Sequence, residues 1–177
     1  MKELLGYTRG FIEVSMDKFK LLIISDSHRN SENIEEALHR VGGCDGVFFL
    51  GDGLSDAALI ASMHPECTWY TVRGNCDFND SFGDGAAPKT AMTVLGGKRI
   101  VYTHGDLYGV KMGLGGLISL AREARADIVL YGHTHERRED YIDGVYYVNP
   151  GSIGAYPPRA ALLTLGEREP LFSYLDL

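Results

Sequence analysis

The sequence predicts an α/β fold. The first half alternates strand, helix, strand, helix, strand, the mark of parallel α/β organisation. Each predicted buried strand of that layout is followed by a loop carrying a side chain able to ligate a metal. Apolar residues make up 45% of the 177, enough for a packed core.

Residues 20-25 (KLLIIS) form a short apolar run ending in polar residues, a buried strand, with Asp26 to Asn30 as its loop. Ile34, Ala37, Leu38 and Val41 follow at i, i+3, i+4, i+7, a helical stripe that starts near Ser31 and stops at Gly42-Gly43. Residues 46-50 (GVFFL) are a second strand with the loop Gly51-Asp52-Gly53, then a short helix over 56-63 stopped by Pro65. Residues 67-72 (CTWYTV) are a third strand, followed by Arg73 to Asp77. Residues 77-88 are acidic, Gly-rich and aperiodic, and read as an exposed loop.

Two strands, 90-95 and 98-103, flank the turn Gly96-Gly97. Leu114, Leu117, Ile118 and Ala121 mark a third helix, and 127-131 (DIVLY) another strand. The remainder reads as hairpins: 140-142 with 145-148 around Asp143-Gly144, and 160-165 with 171-175 around Gly166-Glu167. Residues 16-177 read as a single domain. Residues 1-15 are expected to be a peripheral extension, or Met16 the authentic start.

Net charge is -7 and there is no Lys/Arg-rich run, which argues against an extended nucleic-acid footprint. Cys44, Cys67 and Cys76 are an odd set without a C-x-x-C pair, which argues against a disulfide framework or a thiolate zinc site and for a reducing cytoplasm. No apolar run approaches the ~20 residues of a membrane span. The first fifteen residues carry Lys2, Glu3, Arg9 and Glu13 and do not form a signal peptide.

The candidate ligands are Asp26 and His28, Asp52, Asn75, His104, and His133 and His135. Ligands of α/β sheets gather at the carboxyl ends of strands, so five loops can converge. Imidazoles, carboxylates and one amide suit Mn, Fe, Co, Ni or Zn. Seven ligands exceed one tetrahedral zinc and suit two ions sharing a carboxylate, for which Asp52 is the candidate. Asp52, Asn75 and His104 are expected to be catalytic as well as metal-ligating. A cation pair at such a site supports in-line attack on phosphorus by a metal-bridging hydroxide.

Taken together, Asp26-Ser27-His28, Gly51-Asp52, Gly74-Asn75-Cys76-Asp77, Thr103-His104-Gly105-Asp106, Gly132-His133-Thr134-His135 and Asn149-Pro150-Gly151-Ser152 resemble the calcineurin-like metallophosphoesterase superfamily. The narrower likeness is to YfcE-type phosphodiesterases. The resemblance spans about residues 20-165. It implies a four-layer αββα sandwich of two mixed sheets. It implies one ion on Asp26, His28 and His135, another on Asn75, His104 and His133, and Asp52 between them. It further implies Mn-supported hydrolysis of small phosphodiesters, and often a homodimer.

Two positions depart from the wider pattern. Cys76 stands where many members have a histidine placed to assist the leaving group. A thiol is the poorer proton donor, so diesters are expected to outrun monoesters. Arg29 stands where glycine is expected. It reads first as a solvated charge and second as a donor to a substrate phosphate. Arg29 and Cys76 are thus the candidate substrate-binding residues.

The plainer readings are a structural filler for Cys76, a sharp turn for Asn149 to Ser152, a turn or supporting residue for Asp77, and solvated side chains for His39 and His64. A Vps29-like protein-binding scaffold with a residual metal site and a nuclease are the rival functions. The intact ligand set disfavours the first, and the acidic charge disfavours the second.

Overall fold

The computed structural model describes residues 18-78, 81-82, 85-166 and 168-177. The expectation for residues 1-15 lies outside the described residues. In chain order the principal elements are β1 (Phe19–Ile24), α1 (Ser31–Val41), β2 (Gly46–Phe49), α2 (Leu54–Met63), β3 (Thr68–Thr71), β4 (Ser81–Phe82), β5 (Gly85–Ala86), β6 (Thr90–Leu95), β7 (Lys98–Thr103), α3 (Gly115–Ala124), β8 (Ile128–Leu130), β9 (Arg137–Ile142), β10 (Val145–Pro150), β11 (Arg159–Leu165) and β12 (Leu171–Asp176).

Two five-stranded mixed sheets result, ordered β12-β11-β1-β2-β3 and β6-β7-β8-β10-β9. In the first, β1, β2 and β3 run parallel and β11 joins β1 antiparallel. In the second, β7, β8 and β10 are parallel, with antiparallel edges β6 and β9.

The period-2 alternation of the central strands explains why they read as unbroken apolar runs. Leu22, Ile24, Val47 and Phe49 face outward onto Ile34, Ala37 and Leu38 of α1 and Leu54, Ala57 and Ile60 of α2. Leu21, Ile23 and Phe48 face inward and meet Ile100, Tyr102, Ile128 and Leu130 of the second sheet. The far face of that sheet packs Val101, Val129 and Tyr147 against Leu117 and Ala121 of α3. These are the four layers of an αββα sandwich.

The residues predicted as the α1 stripe, Ile34, Ala37, Leu38 and Val41, are its buried set, and left-handed Gly42 ends the helix. The turns Gly96-Gly97 and Asp143-Gly144 have positive φ at both positions, as tight hairpins demand.

Two expectations need correction. Segment 77-88 is not wholly irregular, because β4 and β5 pair within it as a small antiparallel ladder. His64 is not merely solvated: its ring sits 2.8 Å from Glu35 of α1 and 3.1 Å from Glu66, tying the two helices together. Both carboxylates raise its pKa.

The strand ends also set a pH limit. Cys44 and Cys67 precede β2 and β3, and their sulfurs lie 3.9 Å apart. Burial, then the neighbouring thiol, push Cys44 up to about 12, against about 8.5 in an unfolded chain. The folded state therefore keeps this proton. The stabilisation is complete below the unfolded value and is lost as pH rises toward the folded one. Burial drives Tyr131 the same way, to about 12. Metal-free protein is expected to lose melting temperature as pH rises above about 9. Cys44→Ala should delay that fall in a pH series of thermal melts.

Candidate metal centre

The carboxyl ends of β1, β2, β3, β7 and β8 lie at one end of the sandwich, and the loops that leave them are cross-linked through the backbone. Asp26 N–H donates to the Gly51 carbonyl at 2.9 Å, His28 N–H to the Asp52 carbonyl at 3.2 Å, and Gly132 N–H to the His104 carbonyl at 3.0 Å. The structure brings all seven predicted ligands into this one region, in two groups.

In the first group, His135 Nε2 lies 3.2 Å from Asp26 Oδ1 and 3.2 Å from His28 Nε2. In the second, His104 Nε2 lies 3.1 Å from His133 Nδ1, 3.1 Å from Asn75 Oδ1 and 3.3 Å from Asp52 Oδ2. Asp52 groups with His104 and His133 on one side and with His28 and the Cys76 thiol on the other. Asp26, Asp52 and His104 are buried, whereas His28 and His135 are exposed.

The hydrogen bonds show what these atoms face. His104 Nδ1 is 2.8 Å from the Leu50 carbonyl, an acceptor, so Nδ1 carries the proton in the neutral ring. Its Nε2 is then a lone pair, and it points at two oxygen acceptors and a second imidazole. Asp26 behaves alike. Its Oδ2 accepts from Ser25 Oγ at 2.6 Å and His133 N–H at 3.1 Å. Its Oδ1 is buried with no hydrogen-bond partner. Acceptors converging on acceptors fit a cation between them, and the N/O donor set fits a first-row divalent ion.

In the absence of metal, the carboxylates of the region favour positive charge on their neighbours. Burial pushes the Asp52 carboxyl up, but the His104 ring and the Cys76 N–H outweigh it and hold the group below the ordinary carboxylate range. Burial pulls His104 down, but Asp52 and Asp26 outweigh it. Asp26 also raises His135. Burial and the adjacent His104 push His133 down, toward the neutral form that can ligate.

The backbone is strained where these side chains attach. Asp26 (φ 58°), His28 (47°), Asp52 (59°), His133 (68°) and His135 (61°) all adopt the left-handed region. The other described non-glycine residues that do so are Arg29 beside them, Arg125 at the end of α3, and Asp143 in its hairpin turn. Each such residue costs of order 1 kcal/mol, and such strain concentrates at functional sites. Close packing adds two constraints. A Cβ on Gly74 would stand 2.0 Å from Asp52 Oδ1, and one on Gly132 1.9 Å from Ser25 Oγ.

Supporting residues surround the ligands, among them Asp77, which the sequence left open between a turn and a supporting residue. Asp77 is a clamp: Oδ1 accepts from Gly53 and Leu54 N–H, and Oδ2 from Asp52 and Gly74 N–H, at 2.8 to 2.9 Å. Asn149 to Ser152 is not a simple turn. Buried Asn149 donates to the Gly132 carbonyl at 2.8 Å, and Ser152 Oγ donates to the Asp26 carbonyl at 2.8 Å. Lys89 Nζ donates to the Gly74 carbonyl at 2.8 Å and pairs with Asp106. Nothing in the local pattern around Lys89 signals this. Cys76 is exposed rather than a core filler. Its N–H donates to Asp52 Oδ1 at 2.7 Å.

Residues 19-168 match the model of the calcineurin-like phosphoesterase superfamily domain. The chain belongs to this superfamily. The probable metallophosphoesterase YsnB of Bacillus subtilis (strain 168) is 33% identical over 135 residues, 75% of this chain and 74% of that protein. Vacuolar protein sorting-associated protein 29 of Schizosaccharomyces pombe is 36% identical over 163 residues, 89% and 84% of the two chains. Phosphodiesterase YfcE of Escherichia coli (strain K12) is 28% identical over 152 residues, 76% and 79%. As a calcineurin-like phosphoesterase the chain is a metal-dependent hydrolase of phosphoric esters, and its chemistry uses divalent metal ions. No helix among the described residues is long and apolar enough to cross a membrane.

Proposed function

We propose that this phosphoesterase is a dinuclear phosphodiesterase. Asp26, His28 and His135 would hold one divalent ion, Asn75, His104 and His133 the other, and Asp52 both. The observation that carries the reading is the convergence of lone pairs at His104 Nε2, fixed by the Leu50 carbonyl on the far side of the ring. Bound there, the ions supply an ionised water and draw charge from the phosphoryl oxygens.

The chain's own groups do the rest. Ser25, the His133 N–H and Ser152 fix Asp26 in place before anything binds. Asp77 holds the Asp52 and Asn75 loops at a constant separation, so little reorganises during reaction. Arg29 would donate to a non-bridging phosphate oxygen. Cys76 is a poor acid for the leaving alcohol, so the leaving group must depart largely unaided. That favours diesters with good leaving groups over monoesters. The name of the YfcE relative supports the diester reading.

Manganese is the proposed metal, with Zn, Fe, Ni or Co as alternatives, and small phosphodiesters the proposed substrates. A homodimer is the proposed assembly. The free cysteines support a reducing, cytoplasmic setting. Residues 16-177 are proposed to form one catalytic domain. The likeness to Vps29 supports a second reading, a protein-binding scaffold. The paired acceptor groups support catalysis over it.

The test is metal analysis of purified protein joined to initial rates on bis(4-nitrophenyl) phosphate and 4-nitrophenyl phosphate with added Mn. Two ions per chain and a diester rate at least about tenfold above the monoester rate are expected. Equal rates would contradict the leaving-group argument.

A further inference from the structure

The structure places a cleft of about 530 Å³ against the metal centre, lined by His28, Arg29, Asp52, Ser55, Cys76 and Phe78, among others. Small Cys76 leaves open the space that a larger side chain at that position would fill. Two features of the lining play no part in holding metal. Phe78 is 100% exposed, so its ring gains nothing from the core. Arg29 has no side-chain partner among the described residues, and only its backbone N–H is engaged, with Asp56 at 2.8 Å.

The loop that carries Arg29 is anchored to the start of α2. Asp56 also accepts from Ser27 Oγ at 2.6 Å. A Cβ on Gly53 would stand 1.9 Å from Ser27 Oγ, so the loop after β1 and the start of α2 are in direct contact. Both carboxylates of the cleft outside the metal centre are occupied, Asp56 by this loop and Asp77 by its four N–H donors. Beside the small side chains of Ser55 and Cys76, the two large groups left unengaged are a planar apolar ring and a planar cation. Together these suit an ester of a planar aromatic group: the ring stacks on Phe78 while Arg29 takes a phosphate oxygen.

We infer that the cleft is a subsite for a planar aromatic ester group of the substrate, an aryl or nucleoside ester, selected by Phe78 while Arg29 holds the phosphate common to all esters. This rests on the phosphodiesterase reading above, which it extends to a substrate class.

The test measures affinities of Mn-loaded protein for three product-type monoesters: ethyl phosphate, phenyl phosphate and thymidine 5′-phosphate. Wild type should bind at least one aromatic ester about tenfold tighter than ethyl phosphate. Whether phenyl or thymidine wins separates aryl from nucleoside substrates. Phe78→Ala should abolish the preference. Phe78→Trp should keep it, and its added fluorescence should be quenched on binding. Arg29→Ala should weaken all three ligands alike, with partial recovery in Arg29→Lys. No aromatic preference in wild type, or an unchanged one in Phe78→Ala, overturns the inference even where bis(4-nitrophenyl) phosphate is hydrolysed. Failure of that hydrolysis with the aromatic preference intact would instead strike the phosphodiesterase reading.

Discussion

Asp52→Ala is expected to lower kcat/KM on a chromogenic diester about a thousandfold or more. Asp52 is buried, faces His104 through Oδ2 at 3.3 Å, and accepts the Cys76 N–H through Oδ1 at 2.7 Å. Among the proposed ligands it is the one that groups with residues of both proposed ion sites. On the proposed reading, losing it removes the charge common to both ions, and it also frees the Cys76 N–H beside Asn75. An effect of several kcal/mol on the transition state corresponds to that factor. Asp52→Asn keeps an oxygen for the Cys76 N–H and so separates charge from architecture. It should fold like wild type and remain nearly as inactive. Initial rates, metal content and thermal melts of both variants make the check, and activity within tenfold of wild type would refute the role.

Asp77→Ala should damage stability and metal affinity together. One carboxylate accepts four backbone N–H groups from the loops after β2 and β3. Hydrogen bonds to a charged acceptor contribute roughly 1.5–3 kcal/mol each. They are not additive here, because the freed loops relax together and admit water. A loss of about 3 kcal/mol in urea denaturation is expected, with Mn affinity reduced about ten- to a hundredfold. Asp77→Asn offers a single oxygen acceptor and should fall between. A destabilisation below about 0.5 kcal/mol would mean that the four bonds to Asp77 do not hold the loops.

Much of this was legible in the sequence for a physical reason. The α1 stripe appears because burial of Ile34, Ala37, Leu38 and Val41 has a helical period. The central strands appear because both their faces are buried. The candidate ligands appear because parallel strands deliver their following residues to one edge, so order along the chain stands in for proximity in space.

What stayed hidden depends on long-range pairing. Nothing local announces that β11 returns to pair with β1. Nor does it show that Asn149 and Ser152 reach back to residues 132 and 26. Asp77 sits after Gly74-Asn75-Cys76 like any turn residue, and its four bonds exist only once two loops are side by side. The β4 and β5 ladder has two residues per strand, too few for a period to show. His64 looked solvated because its partner Glu35 is 29 positions away.

The most direct test of the account is an anomalous difference map from a crystal of the Mn-loaded protein. Two peaks are predicted, one among Asp26, His28 and His135 and one among Asn75, His104 and His133, with density for Asp52 reaching both. A single peak, or peaks elsewhere with these side chains bonded to one another, would contradict it.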